Sequence, residues 1–187
     1  LYQTSGFGAK PPRADQARFI RSTDNMLSLL ERLAPAAQAQ GAVLGLAPHS
    51  LRAVPPDSLA AAVQGLTALN PQAPIHIHIA EQTQEVDDCI AWSGQRPVQW
   101  LLNHAPVDER WCLVHATHMT PQEYADAART GAVAAGRDCG GPSTPATRGA
   151  WGSSSTPCTT TSARRATTSA ASEIGRAACR DRAAALV

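Results

Sequence analysis

Helical and extended segments alternate along this chain from about Phe19 to Gly136. Apolar residues recur at helical spacing after Thr23 and Asp24, which are suitable N-caps, and again after Asp57. Because short connections separate helices from strands throughout, the pattern predicts parallel βα units and an α/β fold class. Four short apolar runs fit buried strands, at 43–47, 75–80, 111–115 and 132–135.

Three more helices are predicted between these strands. Two of them cover about 83–92 and 98–102. The third begins with Thr120 as N-cap, Pro121 in the first position and Glu123 in the third, which together form a capping box. Gly131 is expected to end this helix.

The composition changes after Gly136. Residues 137–187 contain almost no Leu, Ile, Val or Phe and are rich in Ser, Thr, Ala and Arg, so they cannot bury enough apolar surface to offset the entropy lost on ordering. We therefore predict a folded region over 1–136 and a tail over 137–187. The tail is either disordered or out of frame, and we favour a reading-frame error in a GC-rich coding sequence, because residues 173–180 look like translated adapter DNA.

Charge and cysteine content exclude several classes of protein. With 16 basic and 15 acidic residues, the chain lacks the excess charge that would bind nucleic acid or an anionic membrane. Its five cysteines are an odd number without CxxC spacing, so neither a disulfide scaffold nor a zinc finger is indicated. No apolar stretch is long enough for a membrane span. We expect a cytoplasmic protein with a small-molecule partner.

The sharpest chemical motif is His78-Ile79-Ala80-Glu81, at the end of a predicted strand. Side chains alternate along a strand, so His76 and His78 share one face and the neighbouring isoleucines share the other. A neutral imidazole at the carboxyl end of a strand is a natural zinc ligand. A carboxylate three residues later can reach a water bound to the same metal, so we predict that Glu81 shuttles protons.

Two further motifs also follow predicted strands. His115 ends the strand 111–115 and is placed to hydrogen-bond or deprotonate a hydrolytic water. His49 and Arg52 lie on one loop and form a cationic pair suited to a substrate carboxylate. Each histidine by itself also fits an ordinary core or surface position, and the site hypothesis depends on their occurrence at successive strand ends. His104 and His118 are expected to be structural or solvent-facing.

Four blocks of the sequence, at 45–54, 76–82, 86–94 and 110–118, resemble consecutive blocks of the bacterial formimidoylglutamate deiminases. That family belongs to the amidohydrolase superfamily. The resemblance covers roughly residues 1–134 and implies a partial (β/α)₈ TIM barrel of the metal-dependent type. It implies hydrolysis of N-formimidoyl-L-glutamate to N-formyl-L-glutamate and ammonia during histidine degradation.

The resemblance also implies roles for single residues. His78 matches the zinc ligand on the fifth strand, Glu81 the acid/base, and His115 the histidine that orients the hydrolytic water. His49 and Arg52 match the residues that hold the substrate, with Arg52 at a carboxylate. The intact enzyme is expected to bind one Zn²⁺ in each active site and to form a homodimer.

The remaining ligands of the family are expected outside this chain. The His-x-His pair of the first strand would lie before Leu1, and the aspartate of the eighth strand beyond the point where the tail loses the pattern. With 187 residues and no initial Met, the chain reads as a fragment. We expect it to bind zinc weakly and to turn over no substrate.

Two other functions remain open from the sequence. A related amidohydrolase that deaminates a purine, pyrimidine or triazine ring would use the same His78, Glu81 and His115, without needing Arg52. A non-catalytic α/β fragment or binding module would contain these histidines incidentally.

Overall fold

The computed structural model describes residues 1–135, and the predicted tail lies outside the described residues. Three parallel strands alternate with helices, as the α/β pattern predicts. The strands are β1 (Ile75–Ile79), β2 (Trp111–His115) and β3 (Val133–Ala135). The α-helices are α1 (Thr23–Ala39), α2 (Pro56–Leu69), α3 (Thr83–Ser93), α4 (Pro97–His104) and α5 (Pro121–Thr130), and a 3₁₀ helix that was not predicted covers Ala14–Phe19.

The three strands form one sheet in the order β1-β2-β3. Ile75 lies opposite Trp111, and Ile79 lies opposite His115. The three isoleucines of β1 are at most 1% exposed and pack in the apolar core, while His76 and His78 alternate with them. The carboxyl ends of β1 and β2 therefore meet at one edge of the sheet, as expected of parallel strands.

The predicted strand at 43–47 is wrong in extent. Within the described residues it is reduced to one isolated parallel bridge between Leu46 and Ile75. The Leu46 carbonyl accepts the His76 N–H at 2.9 Å, and the next bond of this kind joins the His49 carbonyl to the His78 N–H at 3.0 Å. Between these two bonds the chain advances three residues, from Leu46 to His49, while β1 advances two, from His76 to His78. The extra residue forms a local bulge that interrupts the ladder of hydrogen bonds. The bulge brings His49 beside His78.

The helix ends follow their local sequence signals. The N-cap of α1 is Ser22 rather than Thr23 or Asp24, because the Ser22 hydroxyl accepts the Asn25 N–H at 3.2 Å. The predicted capping box of α5 is confirmed, with Glu123 accepting the Thr120 N–H at 2.8 Å. Gly131 follows α5 with φ 82°, a left-handed conformation that glycine adopts without strain.

Among residues 1–135, no helix combines the length and the apolar character needed to cross a membrane. The cysteines in this range, Cys89 and Cys112, are both buried free thiols.

Candidate active site at the carboxyl ends of the strands

The side chains of His78, Glu81 and His115 converge at the carboxyl ends of β1 and β2. The His78 and His115 rings are stacked, with centroids 5.2 Å apart and planes inclined by 27°. The His115 Nε2 lies 3.5 Å from the Glu81 Oε1, and both side chains are 38% exposed. Two imidazoles and a carboxylate thus lie together at one solvent-accessible edge of the sheet.

The backbone at His115 is what brings its ring to this point. Strand alternation would place His115 on the same face as Trp111 and Leu113, which are at most 1% exposed. His115 instead has φ 69°, in the left-handed region, and Ala116 follows with φ 50°. The left-handed turn takes the imidazole out of the strand alternation and sets it against His78. Such strained backbone often occurs at functional sites.

One tautomer of His78 is selected by its hydrogen bond. The His78 Nδ1 lies 2.9 Å from the backbone carbonyl of His49. A carbonyl oxygen only accepts, so Nδ1 carries the proton and the neutral ring has its lone pair on Nε2. This is the arrangement in which a histidine ligates a metal through Nε2 while its other nitrogen is held by the protein.

The His49 ring extends the row of imidazoles. Its centroid is 5.1 Å from that of His78 and 4.9 Å from that of Tyr2, whose ring meets it edge-on. The His49 Nδ1 lies 3.2 Å from the Ser50 hydroxyl. Partial burial lowers the pKa of His49, and the positive charge of Arg52 lowers this pKa further, so the neutral form of the His49 ring is favoured.

Arg52 lies on the same loop, with its side chain 28% exposed. Its Nη2 is 3.8 Å from the Oε2 of Glu85, a carboxylate that is 1% exposed. Sequence reasoning missed Glu85. The signal was present, because Glu85 occupies the third position of α3, where a carboxylate meets the free N–H groups of a helix start.

His104 and His118 are placed differently. The His104 ring stacks on Trp100 with centroids 4.4 Å apart, and its Nδ1 lies 2.8 Å from the Trp100 carbonyl. The carbonyl of His118 accepts a hydrogen bond from Arg96. The contacts of the His104 ring are structural, as expected, whereas this contact of His118 involves only its backbone carbonyl.

The donors at the site fit part of a zinc centre. His78 offers an imidazole nitrogen of fixed tautomer, and Glu81 lies beside the His115 ring that stacks on His78. In the range 1–135, no three or more His, Cys, Asp or Glu side chains are grouped so as to hold a metal ion. Zinc needs three protein ligands at a catalytic site, so the described residues supply only a fraction of such a set.

Family and relatives

Residues 6–178 match the model of the amidohydrolase family. The chain belongs to the amidohydrolase family. Across 134 residues it is 54% identical to the formimidoylglutamate deiminase of Pseudomonas aeruginosa, covering 72% of this chain and 29% of that protein. It is also 35% identical over 98 residues to the 5-methylthioadenosine/S-adenosylhomocysteine deaminase of Natronomonas pharaonis, which covers 50% of this chain and 22% of that enzyme.

One solved structure supports the same family, and a second shares the fold. An amidohydrolase from Brucella melitensis superposes with a TM-score of 0.65 and 51% identity, covering 71% of this chain and 29% of that one. An atrazine chlorohydrolase from Arthrobacter aurescens, solved in complex with zinc, superposes with a TM-score of 0.51 over 63% of this chain and 26% of that one. Its identity of 18% establishes a shared fold alone. The chain thus spans less than a third of the length of these relatives.

Proposed function

We propose that this chain forms part of the active site of a zinc-dependent deiminase that hydrolyses N-formimidoyl-L-glutamate to N-formyl-L-glutamate and ammonia, in the degradation of histidine. The observation that carries the proposal is the convergence of the His78 and His115 rings and the Glu81 carboxylate at neighbouring strand ends. The 54% identity to a formimidoylglutamate deiminase supports the substrate. The three parallel strands would then be consecutive strands of a (β/α)₈ barrel.

The metal would be held by the Nε2 of His78. The His49 carbonyl fixes the tautomer that leaves this nitrogen free to ligate, which supports the assignment. Zinc, when bound, supplies a Lewis acid that lowers the pKa of water toward neutrality. The other ligands would come from parts of the enzyme outside the described residues.

Glu81 and His115 would move and stabilise charge during hydrolysis. The Glu81 carboxylate takes a proton from the water that attacks the formimidoyl carbon and delivers it to the imino nitrogen, so that a C–O bond forms and the C=N bond becomes single. The second proton of the water then passes from the new hydroxyl group to the same nitrogen, the C–N bond breaks, ammonia leaves and the formyl C=O forms. His115, whose Nε2 is 3.5 Å from Glu81, orients the water and stabilises the charge that develops on its oxygen.

His49 and Arg52 would hold the substrate. The Arg52 guanidinium is partly exposed and has a planar fork that suits a carboxylate of the glutamate moiety. Partial burial lowers the pKa of His49 and so favours its neutral ring, which can contact substrate through hydrogen bonds. A cytoplasmic location and a homodimeric intact enzyme remain predictions.

Deamination of a heteroaromatic ring is the second candidate, because the Natronomonas relative is a deaminase of 5-methylthioadenosine and S-adenosylhomocysteine. Such a substrate would use His78, Glu81 and His115 and would not need Arg52. The two candidate substrates therefore differ in whether binding requires the positive charge of Arg52.

The test compares substrates in the zinc-loaded protein that extends this segment to the length of its relatives. Ammonia release is measured with N-formimidoyl-L-glutamate, 5-methylthioadenosine, guanine and cytosine. We expect release from N-formimidoyl-L-glutamate alone. Release from a ring substrate, with none from N-formimidoyl-L-glutamate, would instead assign the second candidate.

A further inference from the structure

One buried carboxylate contacts both loops that carry the candidate site. The Glu85 Oε1 accepts the Ala80 N–H at 3.1 Å, and its Oε2 accepts the Glu81 N–H at 3.0 Å. The same Oε2 lies 3.8 Å from the Arg52 Nη2. Glu85 thus contacts the backbone of the proposed acid/base, Glu81, and the side chain of the proposed substrate-binding residue, Arg52.

The backbone after β1 depends on these bonds. Ala80 is 1% exposed and has φ 50°, a left-handed conformation that an alanine adopts only where its surroundings hold it. A buried N–H without an acceptor is costly, and two N–H groups here point at one carboxylate. Glutamine offers one acceptor oxygen and an NH₂ group that repels the second N–H.

The second contact of Glu85 is an ion pair with Arg52. A carboxylate that is 1% exposed needs a partner, and among the described residues Arg52 is the cation placed within ion-pair distance of it. The arginine in turn has one end of its guanidinium directed at Glu85, while 28% of its side chain stays open to solvent. Glu85 therefore restricts the orientations of the guanidinium fork.

We propose that Glu85 is a positioning residue, which holds Glu81 through its backbone and Arg52 through its side chain so that the acid/base and the substrate-binding cation keep a fixed relation. This inference rests on the proposed function for its kinetic consequences. A purely structural Glu85 would change stability without changing the kinetic constants of the folded, zinc-loaded enzyme.

Asp108 offers a matched control. Its Oδ1 also accepts a backbone N–H, that of Arg110 at 3.0 Å, and its carboxylate also pairs with an arginine, at 2.9 Å. It precedes β2, at the opposite end of that strand from His115. Asp108→Asn therefore removes the same kind of contact away from the candidate site.

The experiment measures kcat and KM with N-formimidoyl-L-glutamate, per zinc-loaded folded molecule, in the protein that extends this segment. We expect Glu85→Gln to lower kcat by about 100-fold, because Glu81 is displaced, and to raise KM by about 10-fold, because Arg52 loses its orientation. Glu85→Asp, which keeps the charge, should recover part of both losses. Asp108→Asn should leave both constants within about threefold of the wild type.

Unchanged kcat and KM in Glu85→Gln would overturn the proposal. If Glu85→Gln fails to fold, Glu85→Asp decides: a lowered kcat in folded enzyme supports the proposal, and an unchanged kcat overturns it.

Absence of deiminase activity in the wild type would reject the proposed function. The positioning role of Glu85 would then be tested by amide hydrogen exchange in the 187-residue chain. Exchange at Ala80 and Glu81 should then be at least about 10-fold faster in Glu85→Gln, with Leu113 unchanged. Equal exchange rates at Ala80 and Glu81 in the wild type and in Glu85→Gln would overturn the positioning role of Glu85.

Discussion

Ile79 and His115 are register partners in adjacent parallel strands, yet Ile79 is fully buried in the core while His115 is partly exposed beside His78. The two side chains differ because the backbone of His115 and Ala116 is left-handed, which turns the His115 ring away from the buried face that Ile79 occupies. The candidate site therefore depends on two non-glycine residues in a conformation that costs about 1–2 kcal/mol each.

This backbone strain predicts an unusual response to glycine. Ala116 and Ala62 are both at most 2% exposed, but Ala62 lies inside α2 and Ala116 has φ 50°. Ala62→Gly loses a buried methyl group and helix propensity, whereas Ala116→Gly loses the methyl group and relieves strain. Urea denaturation should show that Ala116→Gly costs about 1 kcal/mol less than Ala62→Gly. Equal losses would mean that Ala116 is not strained.

Zinc retention should depend on His78 and not on a histidine elsewhere. In the protein that extends this segment, His78→Ala should lose most of its zinc, because the nitrogen left free by the bond to the His49 carbonyl is removed. His104→Ala is the control, since that ring stacks on Trp100 away from the site. Full metal occupancy in His78→Ala, measured by atomic emission, would refute the ligand assignment.

Substrate affinity should depend on Arg52. Arg52→Ala removes a charge-assisted hydrogen bond, worth about 1.5–3 kcal/mol, so KM for N-formimidoyl-L-glutamate should rise about 10- to 150-fold. Arg21→Ala, which changes an arginine whose side chain donates to the neighbouring Ile20 carbonyl, serves as control. If Arg52→Ala leaves KM at the wild-type value, the carboxylate is bound elsewhere.

Cys89 should be inert while the chain is folded. Burial raises the pKa of this thiol to about 11 from its ordinary value of 9.0. The thiolate is the reactive form, so at pH 8 its fraction is about 100-fold smaller than in the unfolded chain. Alkylation with iodoacetamide, followed by peptide mass spectrometry, should label Cys89 only in denaturant. Rapid labelling of Cys89 under native conditions would contradict its burial.

Local signals in the sequence predicted much of the fold. The apolar run at 111–115 predicted the bounds of β2 as observed, and Thr120 with Glu123 located the start of α5. These features depend on neighbours along the chain, where residue preferences act directly. The sequence also placed His78, Glu81 and His115 at strand ends, which the topology then brings to one edge of the sheet.

Other features depend on contacts between distant segments and were not predictable. The bulge that reduces 43–47 to a single bridge is defined by its hydrogen bonds to β1. Strand alternation predicts the wrong face for His115, because nothing in its local sequence encodes a φ of 69°. The pairing of Glu85 with Arg52, 33 positions earlier in the chain, requires the fold.

The most direct test of the account compares Glu81→Gln with the wild type in the zinc-loaded protein that extends this segment. Zinc content and ammonia release from N-formimidoyl-L-glutamate are measured on the same samples. We predict wild-type zinc content with turnover lowered by at least about 100-fold, because the proton path to the leaving nitrogen is gone while His78 is intact. Turnover at the wild-type rate in Glu81→Gln would contradict the account.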